Sequence, residues 1–117
     1  MREITSSEFE SEVLRSTVPV LVDFYTNECN PCRRMLPVLG EVEAASGGTL
    51  KVVKIDASAD GQFSASFQIT SVPTLLLFHR GQQLGQIIGE RNKKDLKRWI
   101  DESLGAGGRT ARSPGGT

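Results

Sequence analysis

The chain has 117 residues, the length of one domain, and 38% of them are hydrophobic, enough for a sizeable core. Its 14 basic and 14 acidic side chains cancel, which leaves no basic surplus to hold nucleic acid and no acidic excess of the kind found in solvating tails. No apolar run approaches the ~18 residues of a membrane span, the N-terminus lacks a secretory h-region, and two cysteines cannot build a disulfide scaffold, so the expectation is a cytoplasmic protein with no membrane partner, taken to act as a monomer.

Residues 1–6 read as a short strand or lead-in. Ser7 to Glu10 fits a capping box, with Ser7 as N-cap, and Phe9, Val13 and Leu14 then share a face, which predicts a helix over 7–15. Val18 and the run Val20 to Tyr25 predict a strand buried on both faces and therefore central. After the polar break Thr26-Asn27-Glu28 comes Cys29-Asn30-Pro31-Cys32. Met35, Leu36, Val38, Leu39 and Val42 then mark a long helix with Pro37 inside it, where a kink is expected. Ser46-Gly47-Gly48 ends that helix, and Leu50 to Ile55 is a second buried strand.

Asp60 to Phe67 predicts a short helix with Phe63 and Phe67 one turn apart. Leu75 to Phe78 and Gln83 to Ile88, joined through Arg80-Gly81, form a hairpin. Asn92 caps the last helix, with Asp95 at its third position and Leu96, Trp99, Ile100 and Leu104 on its apolar face. The order β-α-β-α-β-α-β-β-α predicts an α/β fold, a mixed sheet with helices on both faces. Residues 1–104 form this domain; residues 105–117, with five glycines, a proline and two arginines, are expected to be a flexible tail.

The chemistry concentrates at Cys29 and Cys32. Three readings compete: a redox dithiol, half of a zinc site, and two buried cysteines without a role. Zinc needs four ligands, and the one histidine, His79, lies far along the chain. The two cysteines follow polar residues, which speaks against simple burial. Two cysteines three apart, the first at a helix N-terminus, can close a small ring with little backbone change. The orphan N–H groups and partial positive charge of that helix end stabilise a thiolate at Cys29 and make it the nucleophile. Pro31 falls in the first turn, where its missing N–H costs nothing. Cys32 lies deeper and suits resolution of a mixed disulfide.

The segment Val20 to Cys32, VLVDFYTNECNPC, followed by Arg33, resembles the active-site segment of the thioredoxin family, for which CxxC beside a βαβ pattern is the recognised mark. Ser71 to Phe78, SVPTLLLF, resembles the cis-proline strand of that family, and Gly81 and Gly89 match its glycines around the last strand. The resemblance covers residues 1–104. It implies a thioredoxin fold and a protein-disulfide reductase with Cys29 attacking and Cys32 resolving. It implies a buried Asp23 that takes a proton from Cys32, and a cis Pro73 that leaves the backbone of Val72 free to pair with an extended target. Asn30, Pro31, Val72, Pro73 and Thr74 then form the target-binding surface. Disulfide-containing proteins are the implied targets and a thioredoxin reductase the implied electron donor; no cofactor or metal is expected on the chain.

The sequence also departs from that family. Asn30 stands where glycine is usual and is expected to be exposed, with its amide placed to donate to the Cys29 sulfur. Glu28 stands where tryptophan is usual and replaces a flat apolar contact with a charge. The family's buried lysine aligns with Val52; Lys54, of the same strand parity, is its candidate substitute. His79, Trp99 and the cluster Arg91, Lys93, Lys94, Lys97 and Arg98 read as a solvated turn residue, core packing and a wet helix face. The rival reading, sustained by Glu28 and Asn30, is a binding or chaperone module whose dithiol is unused.

Overall fold

A computed structural model describes residues 1–109. Five strands form one mixed sheet: β1 (Arg2–Glu3), β2 (Val20–Tyr25), β3 (Lys51–Asp56), β4 (Thr74–His79) and β5 (Gln82–Ile88). Their spatial order is β1-β3-β2-β4-β5, so β2 is the central strand, as its apolar run predicts. β3 runs parallel to both β1 and β2, while β4 is antiparallel to β2 and to β5. The three α-helices are α1 (Asn30–Ala45), α2 (Gly61–Ser66) and α3 (Lys93–Arg109).

Strand alternation divides the core into two layers. On one face Leu21, Val52, Leu75, Leu77 and Ile87 pack with Met35, Leu39 and Val42 of α1 and with Leu96 and Ile100 of α3. On the other, Val20, Val22, Phe24, Val53, Ile55, Leu76 and Phe78 meet Phe9 and Val13 from the first helical segment and Phe63 and Phe67 near α2. Phe9 contacts the rings of Phe63, Phe67 and Phe78 at centroid distances of 5.2–5.4 Å. Edge and tilted pairs of this kind are favoured by the ring quadrupoles. Helices thus cover both faces, and the α/β architecture expected from the sequence, a central mixed sheet flanked by helices, is the one observed.

The first helical segment differs from the expectation. It opens as a 3₁₀ turn, Ser6–Glu8, with its cap two residues before the expected one, and continues as a π-helical turn, Glu10–Leu14. The capping residue is Thr5, not Ser7: the Glu8 carboxylate accepts the Thr5 backbone N–H at 2.9 Å. Two overlapping S/T-x-x-E patterns exist here, and Ser6 favours the first by donating to Asp60 at 2.7 Å from across the fold. The last helix begins as predicted, with Asn92 Oδ1 accepting the Asp95 N–H at 2.8 Å. It runs on to Arg109, past the expected boundary at 104. Residues 110–117 of the expected tail lie outside the described residues.

Candidate functional site

The topology brings three segments to one end of the sheet. β2 runs toward that end and leads through Thr26–Glu28 into Cys29. Because β4 is antiparallel to β2, its first residue, Thr74, lies beside Phe24. Ile88, the last residue of β5, lies beside Thr74. The dithiol loop, the Val72–Pro73 turn and the Gly89–Arg91 segment therefore share an edge, and the last two are joined by a hydrogen bond from the Gly89 N–H to the Pro73 carbonyl at 2.8 Å.

Cys29 is the N-cap of α1 and forms a disulfide with Cys32, with the two Cα atoms 5.2 Å apart. The Cys32 backbone N–H points at the Cys29 sulfur at 3.1 Å. This is one of the orphan donors of the helix start, and it meets sulfur rather than an oxygen cap. Pro31 occupies the first turn, as predicted. Cys29 is 9% exposed and Cys32 2%, so the first sulfur is the more accessible. The arrangement can hold a disulfide and, once opened, can support a thiolate at Cys29 through the same N–H and the helix dipole. The disulfide fits the dithiol reading of this pair.

Asp23 is fully buried on β2, and neither carboxylate oxygen has a hydrogen-bond partner among the described residues. Alternation puts it on the same face as Leu21, the face covered by α1. Burial pushes its pKa up to about 7, while the charge of Lys54 pulls the other way. Lys54 is the in-register neighbour of Asp23 on β3, whereas Val52 is packed in the core. The Lys54 ammonium lies 5.2 Å from the centre of the Tyr25 ring, a cation–π contact. Lys54, Tyr25, Leu36 and Cys32 line one cavity of about 300 Å³. Cys32 and the surroundings of Asp23 thus meet beneath the start of α1.

The Val72–Pro73 peptide is cis. Thr74 is buried, and its hydroxyl donates to the Ser71 carbonyl at 2.7 Å, bracing the turn. Asn30 is exposed, as expected, but its Oδ1 accepts from the Arg33 guanidinium at 2.7 Å. The expected donation from Asn30 to the Cys29 sulfur is not observed; the amide is instead oriented by its Oδ1, which faces the Arg33 guanidinium.

Two features escaped the sequence reading. Ile88 is 49% exposed beside the cis-proline turn, an apolar contact point. Its only signal was strand alternation with the buried Ile87. Arg34 on α1 chelates Glu90 after β5, donating from Nε at 3.1 Å to each oxygen and from Nη2 at 2.9 Å. These residues are 56 apart in sequence, and no local pattern pairs them.

A sequence model described as Thioredoxin matches residues 1–102. The chain is 38% identical over 102 residues to a protein named Thioredoxin 1 from Nostoc sp., covering 87% of this chain and 95% of that relative. It is 37% identical over 101 residues to Thioredoxin from Rickettsia felis, covering 86% and 96%. It is also 38% identical over 100 residues to a Bifunctional thioredoxin reductase/thioredoxin from Mycobacterium leprae, covering 86% of this chain and 22% of that protein.

Proposed function

This chain belongs to the thioredoxin family of thiol–disulfide oxidoreductases, and from that premise we propose that it reduces disulfides in other proteins, with Cys29 attacking and Cys32 resolving. The observation that carries this assignment of roles is the Cys32 N–H aimed at the Cys29 sulfur at the start of α1, with Cys32 the more deeply buried of the pair.

In the reduced protein the Cys29 thiolate attacks one sulfur of the target disulfide. One S–S bond forms, one breaks, and the first target sulfur leaves as a thiolate that takes a proton from water. Asp23, ionised, accepts the Cys32 proton; the Cys32 thiolate then attacks the Cys29 sulfur. The second target thiolate leaves and is protonated in turn. Two electrons have passed to the target, and the protein holds the Cys29–Cys32 disulfide. A pKa near 7 suits Asp23 to this task, since a base works best close to the operating pH.

The target is held as an extended segment along the backbone of Val72, which precedes the cis Pro73 at the shared edge, with Asn30, Pro31, Pro73, Thr74 and Ile88 around it. Oxidised protein returns to the dithiol through a thioredoxin reductase. The Mycobacterium leprae relative, whose name joins both activities in one chain, supports that donor class. The working form is a dithiol, which suits a monomer in a reducing compartment such as the cytoplasm.

Insulin reduction with dithiothreitol as electron donor tests the reading. Precipitation of the insulin B chain faster than with dithiothreitol alone is expected. A rate equal to the dithiothreitol blank would contradict it and favour a binding module that leaves its dithiol unused.

A further inference from the structure

Arg33 follows Cys32, yet its side chain turns back around Cys29. One guanidinium nitrogen donates to Asn30 Oδ1 at 2.7 Å, and the other to the Asn27 backbone carbonyl. Its backbone N–H donates to the Cys29 carbonyl at 3.2 Å. The residue thus holds the chain before Cys29, after Cys29 and at Cys29 itself. We propose that Arg33 is a positioning residue for the redox exchange, acting with Asn30 as a brace that keeps the Cys29 sulfur aligned with the Cys32 N–H when the disulfide opens. The proposal deepens the thiol–disulfide reading and rests on it.

The argument is geometric. In the oxidised protein the S–S bond fixes Cys29. In the reduced protein that link is gone, and the two residues before Cys29, Asn27 and Glu28, are polar and exposed, with little packing to hold them. The N–H that stabilises the thiolate reaches it only while the loop keeps its shape. A planar guanidinium can grip two acceptors at a fixed separation, whereas a lysine ammonium is a point charge that cannot span both. Asn30 supplies an acceptor that glycine at this position lacks. Among the described residues Arg33 forms no ion pair, so its charge is spent on neutral acceptors and also raises the local potential at the sulfur.

The other charges near the dithiol are Glu28 beside Cys29 in the chain, the Arg34–Glu90 pair and Arg91 along the shared edge, Glu3 in the cavity that Cys32 lines, and Asp23 and Lys54 on the strands under α1. None belongs to the brace, and none changes in the variants below.

The test is a double-mutant cycle on the full chain with Asn30→Ala, Arg33→Lys and the double variant. Arg33→Lys keeps the charge and removes the fork; Asn30→Ala removes the acceptor without adding glycine flexibility. Thiolate absorbance of reduced protein is followed against pH, and the exchange constant with glutathione is measured. Each single variant is expected to raise the Cys29 pKa by about half a unit, with a matching change of roughly threefold in the exchange constant. The double variant should match the single ones, because either change already breaks the brace. Titrations coincident with the parent, or shifts that add in full, would overturn the proposal. An inactive parent in the insulin assay would overturn the reductase reading instead; the titration needs no target and decides the brace by itself.

Discussion

Asp23 and Lys54 are in-register neighbours on β2 and β3, yet Lys54 extends over the Tyr25 ring and leaves both Asp23 oxygens without a hydrogen bond. The carboxyl is therefore shifted chiefly by desolvation, with only partial relief from the ammonium. A folded-state pKa raised to about 7 from 3.8 means that the folded protein holds this proton where the unfolded chain has lost it. Stability from this group is retained below pH 4, falls as pH rises between 4 and 7, and reaches its full cost above 7.

Asp23→Asn should thus stabilise the protein at pH 8, by about 2–4 kcal/mol, with the gain fading as pH approaches 4. Urea unfolding at the two pH values checks it. A gain of equal size at both would show that ionisation is not its source. The same variant should slow release of target from the mixed disulfide, since no base remains for Cys32.

Lys54→Met removes the one charge that opposes the shift. The Asp23 midpoint should rise further above 7, read from the carboxyl carbon signal by NMR against pH. An unmoved midpoint would place the Lys54 charge in bulk solvent, screened from Asp23.

Trp99, the only tryptophan, packs on the β5 side of the fold. A Cβ added at Gly85 would meet its ring at 3.1 Å. Tryptophan emission should change little when Cys29–Cys32 is reduced, whereas Gly85→Ala should shift it and cost about 1 kcal/mol through crowding. A large change on reduction would mean that the indole senses the dithiol.

Glu28 is exposed, and its carboxylate directly precedes the nucleophile. At about 6–8 Å and an effective dielectric of roughly 40, its repulsion of the Cys29 thiolate is ~1 kcal/mol, a little under one pKa unit. Glu28→Trp should lower the Cys29 pKa by up to that amount, less at high salt, and should ease reduction of acidic targets. Thiolate absorbance against pH decides it; an unchanged or raised pKa in the variant would contradict the electrostatic account.

The sequence carried the fold because its signals were local and mutually consistent. The run Val20–Phe24, apolar but for Asp23, announces a central strand, and Asn92 with Asp95 announces a helix start. The dithiol was legible for the same reason: Cys29, Pro31 and Cys32 lie within one helical turn. Asp23 was legible as an anomaly, a charge inside an apolar run. What stayed hidden depends on side chains meeting across the fold. Thr5 and Ser7 offer equivalent caps until Ser6 reaches Asp60. The role of Asn30 depends on where the Arg33 fork turns, and the Arg34–Glu90 chelate joins a helix to a segment after the last strand.

The central claim is that Cys29 attacks and Cys32 resolves. It is tested most directly by incubating Cys32→Ser and Cys29→Ser proteins with a disulfide-bonded target and weighing the products by mass spectrometry without reductant. The account predicts a mixed disulfide that accumulates with Cys32→Ser, because attack proceeds and resolution cannot, and little or none with Cys29→Ser, whose remaining thiol is buried at the second position. Accumulation with Cys29→Ser and not with Cys32→Ser would contradict it and reverse the two roles.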